Sequence, residues 1–446
     1  MNIHSVYSIP TPFIGSLAQI ENWEAWLTHI SSMRFDAVHL TPFCQRGEQT
    51  APSGKYGCFY SIKDHRAFDP SIAGGLSEQE ATQAMQYVTA LAKTQGMQPI
   101  FDLVLNHTST DHPWITENPS LYQTNALIVD GDAWDDVRPL NWSEENIPLL
   151  VADAIQTIEW AKTLGFTAIR ADYPNNIPSN AWEEIINTFP DMTFIGETVG
   201  CGHQGIRDLS KPFHSLYSSH YFSEAGLEPW LLDERNLLLR RGKRIIAPVS
   251  THDELPLATK ILKQNKTLPA ESIIDAHKQR YWAASNFGIP FAQAGFEFCT
   301  EERANILNHP AEGRYINKPR TPDQMLSNPQ CDLRAYIASI NACRQNNPLL
   351  KSPLLIDSKP LGDSGGFIQW RWKEDGTTLV TVHNIANGQL PDDVLKTACE
   401  QSGHPENFVP IAEQHPDIPT HAIFYHGNRP DWLDQFVNLT SNIQLR

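Results

Sequence analysis

Paired cysteines, a basic N-terminal stretch and long apolar runs are all missing from this 446-residue chain. Its seven cysteines, at 44, 58, 201, 299, 331, 343 and 399, are dispersed, odd in number and never spaced Cys-x-x-Cys. That argues against a disulfide framework and against a cysteine zinc site. The opening MNIHSVYSIPTPF lacks a basic start followed by an apolar stretch, so no secretory signal is expected. No apolar run reaches the length of a membrane span. A cytoplasmic location is the expectation. Positive charge is also scarce: 34 Lys and Arg stand against 51 Asp and Glu, a net charge of −17. Nothing in that balance offers a footprint for nucleic acid or an anionic membrane. It suits a neutral substrate, and equally it can serve solubility alone. The oligomeric state is not readable.

Short apolar runs alternate with longer amphipathic ones. Strand-like runs are VHLTPF (38–43), PIFDLVLNH (99–107), FTAIRAD (166–172), MTFIGETV (192–199), IIAPVS (245–250) and IPFAQAGFE (289–297). Helix-like runs cover 77–96, 147–165, 179–189, 227–242, about 272–287 and 332–345. In the first, Ser77 is a plausible N-cap and Gly96 a stop. Strands that are apolar throughout, each followed by a helix, mean a parallel sheet covered on both faces. The repeat over some 345 residues predicts an α/β fold of the (β/α)₈ barrel type. The alternative, a doubly wound sheet, should show a glycine-rich turn after an early strand, and none is present. After residue 350 the texture changes. FIQWRWKEDGTTLVTVHN (367–384) reads as a hairpin turning at Glu-Asp-Gly. The expected organisation is a barrel over 1–350 and a small β-sandwich domain over 351–446.

Catalytic side chains of such barrels come from the C-terminal ends of strands. Four strands end in reactive residues: at His107, Asp172, Glu197 and His252-Asp253. Any one of them could be a strand-end cap or an ion pair. As a set they are hard to explain by packing, because buried acids need partners. Converging carboxylates suit glycoside chemistry: one attacks or guides water, another protonates the leaving oxygen. A metal site could also gather carboxylates and histidines. The histidines here lie beside carboxylates on separate strands, and no His-x-x-x-His spacing occurs.

In this order and spacing, DLVLNH (102–107), GFTAIRAD (165–172), FIGE (194–197) and STHD (250–253) resemble the four short motifs of the α-amylase superfamily, glycoside hydrolase family 13. YSIKDHRAFDP (60–70) resembles that family's stretch after the second strand. The resemblance implies a retaining enzyme acting on α-1,4-linked glucans or maltooligosaccharides through a covalent glycosyl-enzyme. Asp172 would be the nucleophile, Glu197 the acid/base, and Asp253 the group that binds sugar hydroxyls and distorts the ring. Arg170, two residues before Asp172 and so on the same strand face, would hold that carboxylate ionised. His107 and His252 would donate hydrogen bonds to the reacting sugar, and Tyr60 would stack against it.

Two departures bear on subfamily. YPNNIP (173–178) puts Asn175 and Asn176 where common amylases carry Lys-His, and its prolines are more like those of maltosyltransferases that use maltose 1-phosphate. YSIKD and THDE look more like the glucanotransferase part of glycogen debranching enzymes. The place of the family's domain B, 108–146, is short. Its calcium site is built there, so the expectation is no cofactor and no metal. Three functions stay open: α-glucan hydrolysis or transfer, transfer from a maltose 1-phosphate-type donor, and a catalytically silent carbohydrate-binding barrel.

Overall fold

The computed structural model describes residues 3–346 apart from 49–57, 126, 130–131, 200, 220–228, 305–313, 317 and 327–328. Beyond 346 it describes the backbone of five strands. Eight strands close into one barrel: β1 (Val6–Ile9), β2 (Ala37–Leu40), β3 (Gln98–Val104), β4 (Ala168–Asp172), β5 (Thr193–Gly196), β6 (Ser215–Tyr217), β7 (Arg244–Pro248) and β8 (Ile289–Gln293). Every neighbouring pair is parallel, and β8 returns to β1. A helix follows each strand: α1 (Ile20–Ser32), α2 (Glu78–Thr94), α3 (Ile147–Thr163), α4 (Ser179–Thr188), α5 (Gly202–Leu209), α6 (Pro229–Arg240), α7 (Ala270–Phe287) and α8 (Arg334–Asn346). This is the (β/α)₈ barrel that the alternation predicts.

Local chemistry sets several boundaries. Ser77 and Glu80 form a reciprocal capping box at the start of α2, so orphan N–H groups are satisfied there. Gly165 ends α3 at φ +95°, and a Cβ there would meet Thr89 Oγ1 at 2.4 Å. Only glycine fits both the left-handed backbone and that contact.

The barrel interior is a packed plug. Val6, Ala37, Ile100, Ala168, Ile195, Tyr217, Ile246, Ile289 and Phe291 form one buried cluster, drawn from all eight strands. The outward faces of the strands join a larger core beneath the helices. One polar knot fastens that outer layer. Glu297, fully buried past the end of β8, accepts from Tyr7 Oη (2.6 Å) and from the Gly295 N–H (3.1 Å). His29 Nε2 on α1 lies 2.7 Å from the same carboxylate.

Between β3 and α3 the chain makes two small antiparallel pairs, His107–Ser109 with Val137–Pro139 and Leu127–Val129 with Asp132–Trp134. These lie within the stretch read as a short domain B. After α8, Ile356–Leu361, Gly366–Trp372, Thr377–His383, Ala422–His426 and Val409–Pro410 form one antiparallel sheet in that order. The hairpin read at 367–384 is the pairing of Gly366–Trp372 with Thr377–His383. The rest of the expected sandwich falls outside the described residues. Among those described, no helix is long and apolar enough to cross a membrane.

Candidate active site

One step above the plug, the inward face of the strands turns polar. The strand alternation has a period of two, so the residues two beyond Val6, Ala37, Ile100, Ala168 and Ile195 point the same way. They are Ser8, His39, Asp102, Arg170 and Glu197. All five belong to one chain of contacts. Ser8 Oγ is 2.9 Å from His39 Nδ1. His39 Nε2 is 3.1 Å from Asp102 Oδ2. Arg170 Nη1 donates to Asp102 Oδ1 and to Asp172 Oδ1, each at 2.7 Å. Arg170 Nη2 pairs with Glu197 Oε2 at 2.7 Å.

The guanidinium therefore serves three carboxylates from a site only 3% exposed. Burial opposes its charge, but Asp102 and then Glu197 hold the proton on. Asp102 is pulled down to about 2: burial works against its charge, and Arg170, then His39, outweigh it. It is the permanent counter-ion of the cluster. Tyr60 Oη also donates to it at 2.8 Å.

Asp172 and Glu197 behave differently, although both touch Arg170. Burial is the largest influence on each and pushes both up. Arg170 opposes it in both cases. For Asp172 the charge of Glu197 adds to burial, and the carboxyl rises to about 7. For Glu197 the charge of Asp253 adds to it. The expected charge-assisted hydrogen bond from Arg170 is present and pulls Asp172 down, but burial and the neighbouring carboxylates outweigh it. Asp102 takes a share of the guanidinium, so its field is divided. The two carboxyls form a coupled pair that retains a proton near neutrality.

Backbone geometry seats this pair. Tyr173, directly after Asp172, has φ +38°, a left-handed conformation uncommon for a residue with a side chain. Its N–H donates to Glu197 Oε2 at 3.2 Å. Asn106 Nδ2 reaches Asp172 Oδ2 at 3.3 Å. Gly196 precedes Glu197 where a Cβ would meet Leu216 at 2.7 Å, so β5 and β6 pack closely under the acid.

The structure gathers every sequence-predicted site residue near the C-terminal ends of the strands, with some changes of part. Asp253 lies five residues beyond β7, its side chain 45% exposed, with Oδ1 3.2 Å from His252 Nε2. Burial would strip the His252 proton, yet Asp253 pushes that imidazole up. Tyr60 stacks on His252 with centroids 5.2 Å apart, and Arg170 Cζ lies 5.8 Å from its ring. At 3% exposure it has little ring face left for a sugar, a correction to the stacking role. His107 is not the end of β3 but the start of the following hairpin strand. Its Nε2 donates to the Tyr60 carbonyl at 3.0 Å, leaving Nδ1 without a partner. That remaining nitrogen can accept from a hydroxyl and not donate to one. Burial lowers the ring to about 4, so it stays neutral.

Sequence reasoning did not single out His39, Asp102 or Asn106. The signal was present for Asp102, an acid inside an otherwise apolar strand. Its partner Arg170 lies 68 residues away, which no local pattern reveals. Among the described residues, no group of three or more His, Cys, Asp or Glu side chains is arranged to hold a metal ion. Six cysteines are described and all are free thiols.

The comparisons with known proteins bear on this geometry. A family model for the glucanotransferase domain of glycogen debranching enzyme matches residues 1–126. An α-amylase from Lactobacillus plantarum superposes with a TM-score of 0.67 at 19% identity, over 95% of this chain and 97% of that one. The chain resembles the α-amylase superfamily. Among curated relatives, the α-1,4-glucan:maltose-1-phosphate maltosyltransferase of Corynebacterium pseudotuberculosis (strain 1002) is 22% identical over 366 residues. That alignment takes in 74% of this chain and 50% of the relative. The glycogen debranching enzyme of Saccharomyces cerevisiae is 28% identical over 119 residues, 27% of this chain and 7% of that protein. The chain thus spans half or less of the curated relatives it matches. Both resemblances read from YPNNIP and from YSIKD recur in those names.

Proposed function

We propose that the chain is a retaining α-glucan hydrolase or glucanotransferase, acting on α-1,4-linked glucose units through a glycosyl-enzyme on Asp172. The observation that carries this reading is the shared Arg170. Its two terminal nitrogens bind Asp172 and Glu197 at 2.7 Å each, so the carboxyls sit side by side on adjacent strands. Adjacent strands are about 4.8 Å apart, which suits the roughly 5–5.5 Å carboxyl spacing of retaining chemistry.

In the reaction Asp172 attacks the anomeric carbon while Glu197 gives its proton to the leaving oxygen. Glu197 then takes a proton from water or a sugar hydroxyl, and the ester on Asp172 is released. One proton must start on Glu197 and none on Asp172. The raised pair supplies that proton. The reactive form of the pair has the proton on Glu197, and the positive charge that develops at the anomeric carbon in the transition state is stabilised by the ionised Asp172. Asp253, open at the mouth, would bind hydroxyls of the reacting sugar, with His252 beside it. Tyr60 would hold Asp102 and His252 in place.

The competing reading is transfer from a maltose 1-phosphate-type donor. It is favoured by the maltosyltransferase relatives, which align over about three quarters of the chain. Incubation with maltooligosaccharides, glycogen and maltose 1-phosphate plus an acceptor glucan, followed by product chromatography, separates the two. New glucan lengths from maltooligosaccharides alone support the first reading. Phosphate release only from maltose 1-phosphate supports the second. No turnover of any of them, with binding retained, would support a silent carbohydrate-binding barrel and overturn both.

A further inference from the structure

Between the ends of β7 and β8, against His252, lies a cleft that is partly open to solvent. Its lining includes Gln293, His252, Thr251, Leu257, Phe296 and Glu302. Gln293 is the last residue of β8. Ile289 and Phe291 of that strand point into the plug, so the period of two sends Gln293 inward as well, one layer higher. In register it stands beside Ser8, the end of the polar chain that runs through His39 and Asp102 to Arg170.

Ser8, His39, Asp102, Arg170 and Glu197 each have a side-chain partner in that layer. Gln293 has none: it is 8% exposed, yet both Oε1 and Nε2 are buried and unpaired. Its backbone N–H donates to Ser250 Oγ at 3.0 Å, so the unpaired groups are those of the side-chain amide. A buried amide without partners is costly, and native proteins rarely leave one unless a ligand or water completes it.

We propose that Gln293 is a substrate-binding residue, whose amide donates to one hydroxyl and accepts from another on a neutral sugar lying against His252. This deepens the glucan-active reading and rests on it. The chemistry of the cleft selects the ligand class. A primary amide offers two donors and an acceptor at once, which matches vicinal hydroxyls. Leu257 and Phe296 supply apolar surface for the sugar's C–H face. The carboxylate of Glu302 is already paired with Arg320, and among the described lining residues there is no Lys or Arg to receive a phosphate. A neutral hydroxylated ring fits; an anionic group does not.

The test uses the full chain with Gln293→Ala and Gln293→Glu. Thermal midpoints close to wild type are expected, because the amide has no protein partner to lose. With maltotriose, kcat/KM should fall by about tenfold or more in both variants. With a panel of monodeoxy maltosides, the penalty of Gln293→Ala should vanish for the analogue lacking the hydroxyl that Gln293 holds, since a lost pair is lost only once. Unchanged kcat/KM in both variants, or the same penalty on every analogue, overturns the assignment. Maltotriose calorimetry gives an independent readout. If wild type turns over no α-glucan, the functional reading fails. Weakened maltotriose binding in Gln293→Ala would then still support the site, and unaltered binding would overturn it.

Discussion

Along β1, β2, β3, β4 and β8 the inward side chain changes from Val6, Ala37, Ile100, Ala168 and Phe291 to Ser8, His39, Asp102, Arg170 and Gln293 within two residues. The lower layer is an apolar plug whose one hydroxyl, that of Tyr217, bonds to Arg170 in the layer above. The upper layer holds a guanidinium, three carboxyls, an imidazole and an unpaired amide over the same cross-section. The strands that build both are the same, so the difference lies only in which residue occupies each inward step. The plug excludes water from beneath the site, and that lowers the local dielectric. In this setting one arginine can be divided among three carboxylates while burial still pushes Asp172 and Glu197 up. Packing below and unbalanced charge above belong to one device.

The comparison breaks most sharply at Asp172. Replacing it with Asn should lower turnover of maltooligosaccharides by about 10³-fold or more, with the fold intact. Initial rates and circular dichroism on the same sample check this. Arg170→Met should damage stability as well as activity. It strands Asp102, Asp172 and Glu197 in the upper layer without a counter-charge, at a cost of about 3–5 kcal/mol. Urea unfolding at pH 8 should show it, and the loss should shrink at pH 5, where the raised carboxyls are protonated in the folded protein.

A change in the plug should do the reverse. Ile246→Ala opens a cavity under the site and should cost about 2–5 kcal/mol of stability. Activity per folded molecule should stay within about twofold. A large kcat loss at full folding would mean that the two layers are not separable. A further test is a pH dependence. The folded Asp172 carboxyl is raised to about 7, above the ordinary carboxylate value of the unfolded chain. Its contribution is thus full in acid, below the unfolded value, and is lost as pH rises through 7. Asp172→Asn removes that loss. Its stability relative to wild type should climb between pH 4 and 7 and then level off. A flat difference across urea midpoints at pH 4 to 8 would contradict the burial argument.

Much of the fold was legible in the sequence because apolar strands and capped helices carry local signals. The strands read at 99–107, 166–172 and 245–250 are β3, β4 and β7 with ends moved by a few residues. Two strands went unread. β1 is four residues with a Tyr and a Ser, and β6 is only Ser-Leu-Tyr, too short for any periodicity to register. Helix α1 has no side-chain cap at Gln19 to announce it. In the site, the residues at strand ends were visible because polar groups there stand out against apolar runs. The division of Arg170 was not, because it depends on Asp102, Asp172 and Glu197 meeting at one guanidinium from three strands. Tyr60 and His107 were found, but their parts were misjudged, since burial and partners are properties of the assembled barrel.

The central claim is that Asp172 forms a bond to sugar while Glu197 handles the proton. The most direct measurement is intact-mass and peptide mass spectrometry of Glu197→Gln incubated with α-maltosyl fluoride, whose fluoride leaves without acid help. The account predicts an added maltosyl mass that maps to the peptide carrying Asp172 and is absent in the Asp172→Asn, Glu197→Gln double variant. An adduct on another residue, or none while the wild type turns the fluoride over, would contradict it.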